Sequence, residues 1–199
     1  MENKLIVLSG PSASGKTTLV KSLKEKYPII ELVSHTTRKP RDGERNGVAY
    51  YFVDTEEFNH MVAEGRFIEH VAYAGNQYGL MAREAEKKLK QGHCCVIVDT
   101  VGMLALSRSS LADRMITVFV NSRFQSHKDM LREMDARGDE LSREEAEMRV
   151  NRAVFDRANA GNYQHHITQL PGAEAEVSKA HALNQLVSAL KFEGIVDDE

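Results

Sequence analysis

The sequence is poor in cysteine: it has two, Cys94 and Cys95, and they are neighbours. Adjacent strand residues point to opposite faces, so the pair reads as two small buried residues of a reducing compartment rather than a disulfide. Long hydrophobic runs are also missing. No apolar stretch is long enough for a membrane span, and the run within MENKLIVLSG is too short for a signal peptide. No membrane contact is expected, and the expected location is cytoplasmic. An excess of charge of one sign is the third absence. Lys and Arg number 26 against 29 Asp and Glu, for a formal net charge of −3. No bulk field attracts a nucleic acid polymer, so anion binding has to come from locally placed Lys and Arg. Repeats, low-complexity tracts and long linkers are absent too. What remains is an ordinary globular composition, 42% hydrophobic and 28% charged, over 199 residues, a length that suits one compact domain.

Lys4–Ser9 (KLIVLS) is a nearly continuous apolar run and reads as a strand buried on both faces. A helix is expected from about Lys16 to Lys26, stopped by Pro28. Ser34 to Gly79 is richer in Thr, Tyr, Gly and Arg and reads as an inserted lobe of short strands and one helix. That helix starts at Asp54, with Glu57 as its capping-box partner, and ends at Gly65. A charged helix follows over Arg83–Gln91, closed by Gly92. Cys94–Asp99 and Met115–Val120 read as further buried strands. Phe124 to Asn159 is helical and charged, with a break at Arg137–Gly138. A weak strand at His165–Gln169 and a helix over Ala173–Leu190 close the chain. Buried strands alternating with helices imply an α/β fold with a parallel sheet.

Between the first strand and helix lies Gly10-Pro-Ser-Ala-Ser-Gly15-Lys16-Thr17, which fits G-x-x-x-x-G-K-[ST] at every position. Its glycines let the backbone wrap an anion, and the helix adds the positive end of its dipole. Gly10, Ser12, Ala13, Ser14, Gly15, Lys16, Thr17 and Thr18 are therefore the candidate ATP phosphate-binding residues. Lys16 follows the β- and γ-phosphates. The Thr17 hydroxyl is a candidate Mg²⁺ ligand. Asp99, ending a buried strand, is the second candidate for the magnesium shell; it also reads as a plain strand-to-helix turn residue.

Within the lobe, Arg38 and Arg41 stand three residues apart with Pro40 between them. Guanidinium groups fork onto phosphate oxygens, although charge alone favours a solvated basic loop. The stretch Ser34–Val53, SHTTRKPRDGERNGVAYYFV, resembles the acceptor-binding segment of the guanylate kinase family, S-x-T-T-R-x-P-R-x-G-E-x-N-G-x-x-Y-x-F. FIEH (Phe67–His70) and GNQYG (Gly75–Gly79) extend the likeness, which runs from about Leu5 to Gly102. The resemblance implies a P-loop NTPase sheet with helices on both faces, an inserted mixed-strand monophosphate-binding lobe and a helical lid. On this division the core is 1–33, 81–123 and 160–192, the lobe 34–80 and the lid 124–159. It also implies that Ser34, Arg38, Arg41, Tyr50 and Tyr78 hold the acceptor phosphate. The same resemblance implies that Glu69 accepts from guanine N1–H and its amino group.

Two positions depart from the family. Leu80 stands where Ser or Thr usually meets the base. The strand end reads V-D-T-V-G (Val98–Gly102) in place of D-x-D-x-Q-G, so one of two carboxylates is missing. A lost hydrogen-bond partner in a buried site costs about 1–3 kcal/mol, so guanine recognition is expected to be weakened, and a serine at 80 to restore it. Leu131–Ala153 resembles the family's lid, with Arg137 and Arg149 matching arginines that close on the transferring phosphate. A further lid arginine aligns with Glu133, and Arg132 beside it is the substitute the sequence offers. Gln169 is nearest to the residue usual beside the donor adenine. The implied reaction moves the γ-phosphoryl of ATP, with Mg²⁺, to a nucleoside monophosphate, GMP or dGMP first. Lys16, Arg38, Arg41, Arg137 and Arg149 are its catalytic residues. Two rivals follow from the same residues. One is a kinase of this fold with another or modified acceptor. The other is a non-catalytic binding module, in which the phosphate loop is typically degraded; here Lys16 and Thr17 are intact.

Overall fold

In the computed structural model the structure describes residues 2–122, 124, 126–136 and 142–197. The chain opens with β1 (Leu5–Ser9), α1 (Lys16–Lys26) and β2 (Ile30–Glu31). The lobe follows as β3 (His35–Thr36), β4 (Tyr51–Phe52), α2 (Thr55–Ala63), β5 (Phe67–Tyr73) and β6 (Asn76–Met81). Then come α3 (Ala82–Leu89), β7 (Cys94–Ile97), α4 (Thr100–Leu106) and β8 (Met115–Asn121). The last elements are α5 (His127–Ala136), α6 (Arg143–Ala158), β9 (His165–Thr168) and α7 (Ala175–Phe192).

β1 is buried along its whole length because it is the middle strand of a parallel five-stranded sheet ordered β2-β7-β1-β8-β9. Alternate residues feed two cores. Ile6 and Leu8 pack with Leu19, Leu23 and Leu186 on the face of α1 and α7. Leu5 and Val7 pack with Leu89, Met103 and Leu106 on the face of α3 and α4. Cys94 and Cys95 fall one into each core, and both are free thiols. Helices on both faces bury both sides of the sheet, which is why its strands read as unbroken apolar runs.

α1 ends at Lys26 because Tyr27, before Pro28, is extended (φ −132°, ψ 149°); the proline ring excludes helical backbone from the residue before it. Asp54 caps α2 by accepting from the Glu57 N–H at 2.8 Å. The reciprocal box is complete at α6, where Ser142 and Glu145 cap each other. α4, capped by Asp99, and the two-residue β2 are elements beyond the expected set.

The lobe is a mixed four-stranded sheet ordered β4-β3-β6-β5, with β3–β4 parallel and the other pairs antiparallel. Phe58 of α2 is fully buried and stacks on Phe67 with ring centroids 4.6 Å apart. α5 and α6 hold a small core of Met130, Met134 and Ala153, and the Ala13 methyl of the β1–α1 loop packs against it. The expected break at Arg137–Gly138 lies outside the described residues. No helix among the described residues is long and apolar enough to cross a membrane.

Candidate functional site

The loop after β1 takes backbone conformations that side chains resist. Gly10 has φ 142°, and a Cβ there would lie 2.3 Å from the Val120 carbonyl oxygen. Gly15 has φ 81°, and its Cβ would lie 2.4 Å from Gln169 Nε2. That amide donates to the Ser14 carbonyl. Gln169 therefore clamps the loop from β9's end and is buried. Gly15 is the N-cap of α1 and brings no side chain to it, and no acidic residue stands in the first turn. The first-turn N–H groups and the helix dipole are thus left for an anion. The Lys16 ammonium is held by the loop itself, donating to the Gly10 and Pro11 carbonyls at 2.7 and 2.8 Å and to Ser14 Oγ at 3.2 Å.

One cavity joins this loop to the lobe, the end of β7 and the lid. Gly10, Ser12, Ala13, Lys16 and Thr17 line it from the loop. Ser34, Arg38, Arg41, Tyr50, Glu69 and Tyr78 line it from the lobe, with Asp99 and Arg149 completing the expected set. Ser14 is fully buried beneath the loop, Thr18 is exposed, and neither they nor Gly15 nor Leu80 are among the lining residues. Arg137 lies outside the described residues.

The two acceptor arginines are set by a residue that the motif contains but chemistry alone does not single out. Glu44 receives Arg38 Nη2 at 2.9 and 3.0 Å and the Arg41 backbone N–H at 2.8 Å. The Arg38 guanidinium also lies 5.4 Å from the Tyr50 ring centroid. Burial, then the neighbouring Tyr78, pushes the Tyr50 phenol up to about 12, so it stays a neutral hydrogen-bond donor.

Glu69, in β5, is 4% exposed, and its Oε2 has no hydrogen-bond partner. Burial, then the Asp99 charge, raises its carboxyl to about 8, opposed by a hydrogen bond from the Leu80 backbone. Leu80 corrects the sequence expectation. It is fully buried and packs with Leu5, Val7 and Val96 in the core. It reaches Glu69, its cross-strand partner, through its main-chain N–H, so the position borders the site while the leucine side chain does not line the cavity.

Asp99 Oδ1 caps α4 by accepting from the Gly102 N–H at 2.8 Å. Oδ2 is buried without a hydrogen bond and lies 3.5 Å from Arg152 Nη2. Counted back from Gly102, Asp99 takes the second carboxylate of D-x-D-x-Q-G and Ile97 the first. Ile97 lines the cavity, so the missing acid is replaced by an apolar wall. Among the described residues no group of three or more His, Cys, Asp or Glu could hold a metal ion. The donor set, one hydroxyl at Thr17 and one unspent oxygen at Asp99, fits an ion held mainly by substrate phosphates and water.

Three further residues reach the cavity unannounced by any motif. Tyr73, at the end of β5, bonds its hydroxyl to Ser12 Oγ at 3.1 Å, tying lobe to loop. The Arg149 and Arg152 guanidinium carbons lie 5.7 and 5.5 Å from its ring centroid. Asp156, 2% exposed, lines the cavity beyond them. Its carboxyl is pushed up by burial, against the Thr100 hydroxyl and the Lys16 charge. Helical spacing from Arg149 and the hairpin position of Tyr73 are the only sequence signals they leave.

A helix-opening phosphate loop, a lobe of arginines and tyrosines and a lid arginine around one cavity define a P-loop phosphotransferase architecture. The family model for guanylate kinase matches residues 2–169. The chain is 37% identical over 164 residues to a guanylate kinase of Chlorobaculum tepidum, covering 81% of this chain and 82% of that one. It is 38% identical over 156 residues to one of Frankia casuarinae, covering 77% and 82%. The solved structure of guanylate kinase from Anaplasma phagocytophilum superposes with a TM-score of 0.67 at 24% identity, covering 98% of this chain and 97% of that one. The chain belongs to the guanylate kinase family.

Proposed function

We propose that the chain transfers the γ-phosphoryl group of ATP to GMP or dGMP. The observation that carries this reading is the single cavity that holds Lys16 and Thr17 together with Arg38, Arg41, Tyr50, Tyr78 and a buried Glu69. Ionised Glu69 is an acceptor pair that matches the adjacent N1–H and amino donors of guanine and not the N1 acceptor of adenine. Arg38 and Arg41 hold the acceptor phosphate through forked donors, with Tyr50, Tyr78 and Ser34 completing its shell. Lys16 exchanges the loop carbonyls for the β- and γ-phosphate oxygens of ATP. Thr17 and Asp99 are the residues that would hold Mg²⁺, which when bound neutralises charge between phosphate oxygens. An acceptor phosphate oxygen forms the new bond to the γ-phosphorus as the bond to the β,γ-bridging oxygen breaks. No nucleophilic side chain takes part, so catalysis is positioning and charge neutralisation. Arg149, and Arg137 with it, would supply that charge from the lid. The reaction belongs in the cytoplasm, where both nucleotides are dissolved.

The test is a panel of nucleoside monophosphates with ATP, run beside Lys16→Ala. GMP or dGMP should be preferred over AMP, by a factor that hydrogen-bonding sites can raise to about 10⁴–10⁵. Ile97 in place of a carboxylate favours a second reading, a kinase of this fold for another acceptor, and predicts that guanine discrimination falls short of that limit. Lys16→Ala should abolish transfer and leave the circular dichroism spectrum unchanged. A pyrimidine monophosphate outperforming both guanine nucleotides would select the second reading. Near-normal turnover in Lys16→Ala would reject phosphotransfer altogether.

A further inference from the structure

We propose that Arg152, on the lid helix α6, is a further catalytic arginine whose guanidinium neutralises the transferring phosphoryl group. The inference rests on the phosphotransfer reading above. It supplies a charge that the sequence left without a carrier. Glu133 stands where the lid resemblance expects an arginine, and the neighbouring Arg132 does not serve. Its side chain is 68% exposed, lies 3.6 Å from Asp129 one turn back, and is absent from the cavity lining.

Arg152 has what Arg132 lacks. It follows Arg149 by three residues, so both leave the same face of α6. Its side chain is 19% exposed and lines the cavity. Both guanidinium groups lie against the Tyr73 ring, which is itself hydrogen-bonded to Ser12 of the phosphate loop. The lid arginines are thereby held beside the loop that grips the donor phosphates.

The donors of both arginines are largely unspent. Arg149 Nε is buried without a partner. Arg152 makes no side-chain hydrogen bond among the described residues, and its ion-pair partner is Asp99 Oδ2 at 3.5 Å. That separation is too long for a charge-assisted hydrogen bond. A guanidinium carries five N–H donors, and leaving them unmet in a buried site is costly. An anion with several oxygens arriving between Asp99 and the loop satisfies them. In phosphoryl transfer the developing charge is spread over three equatorial oxygens, and a planar fork can bridge two of them. Arg152 donates hydrogen bonds as the new P–O bond forms and the β,γ-bridging bond breaks; it neither gives nor takes a proton.

The competing role is purely structural: Arg152 offsets the buried Asp99 charge and touches no substrate. Three variants separate the two. Arg152→Met keeps an unbranched side chain beside the Tyr73 and Phe155 rings, over which the guanidinium lies, so the fold should be retained. Its kcat with ATP and GMP should fall by about 10²-fold or more, with either KM changed by less than about 3-fold. Arg152→Lys should recover only part of that loss, because an ammonium carries charge without the fork. Arg132→Ala should stay within about 2-fold of wild type. If Arg152→Lys, which keeps a charge beside Asp99, recovers wild-type kcat in full, the role is charge offset and the proposal is overturned. It is also overturned if Arg152→Met keeps kcat within about 3-fold of wild type. Wild-type turnover in the same assay keeps the outcomes apart. Normal wild-type and normal Arg152→Met rates reject this inference alone, whereas a wild type that phosphorylates no monophosphate rejects the parent reading with it.

Discussion

Glu69 is where the chemistry of the site is most exposed to pH. Its carboxyl titrates near 8, far above the ordinary value of 4.5, because burial and then Asp99 oppose its charge. At neutral pH, before a nucleotide binds, it is mostly protonated. Guanine requires the ionised form, so GMP binding at pH 7 should release a proton, and GMP affinity should rise from pH 6 to pH 8. Titration calorimetry in two buffers of different ionisation enthalpy counts that proton; a count of zero would contradict the assignment. Fold stability moves the other way. Between 4.5 and 8 the folded chain binds this proton and the unfolded chain does not, so stability falls as pH rises through that window. Melting temperatures from pH 5 to pH 8 should therefore decline, and more shallowly in Glu69→Gln. A slope equal to that of the wild type would show that Glu69 is not its source.

At the scale of elements, the packing around a strand decides what each residue can reach. In β6, Tyr78 and Leu80 share a face, yet Tyr78 lines the cavity while the core cluster claims the Leu80 side chain, whose N–H bonds Glu69. Leu80→Ser removes a fully buried apolar group and inserts a hydroxyl into the core. It should destabilise the protein by about 3 kcal/mol or more, measured by urea unfolding, and should not improve GMP turnover. A gain in guanine use at unchanged stability would restore the reading drawn from motif position alone. The same logic explains what could be read in the chain beforehand. α1 was legible to the residue, because Gly15 and Pro28 are local signals that tertiary packing does not alter. β1, β7 and β8 were legible because both faces are buried and periodicity disappears. β2, with two residues, was too short to carry any pattern. α4 was hidden because Asp99 reads equally well as a strand end and as a helix cap. The phosphate loop and Arg38, Arg41, Tyr50, Glu69 and Tyr78 were legible because each lies in a contiguous motif. Tyr73, Arg152 and Asp156 were not. Two elements far apart in the chain bring them together, and nothing local marks them.

At the scale of the whole molecule, one side chain touches both the phosphate loop and α6. Tyr73 belongs to the lobe, its hydroxyl binds Ser12 of the donor loop, and its ring carries Arg149 and Arg152 of the lid. A joint of this kind makes the two substrates partners in one equilibrium. Whatever GMP does to order the lobe is felt by the loop that holds ATP. Thermodynamic linkage requires that any change GMP makes in ATP affinity be matched by an equal change that ATP makes in GMP affinity. Tyr73→Phe keeps the ring for the arginines and deletes only the bond to Ser12. Dissociation constants for a non-hydrolysable ATP analogue, with and without GMP, should show synergy in the wild type and less of it in Tyr73→Phe. Unchanged synergy would place the coupling elsewhere. Through the Ser12–Tyr73 bond, occupancy of the acceptor lobe should set how tightly the donor loop holds its phosphates.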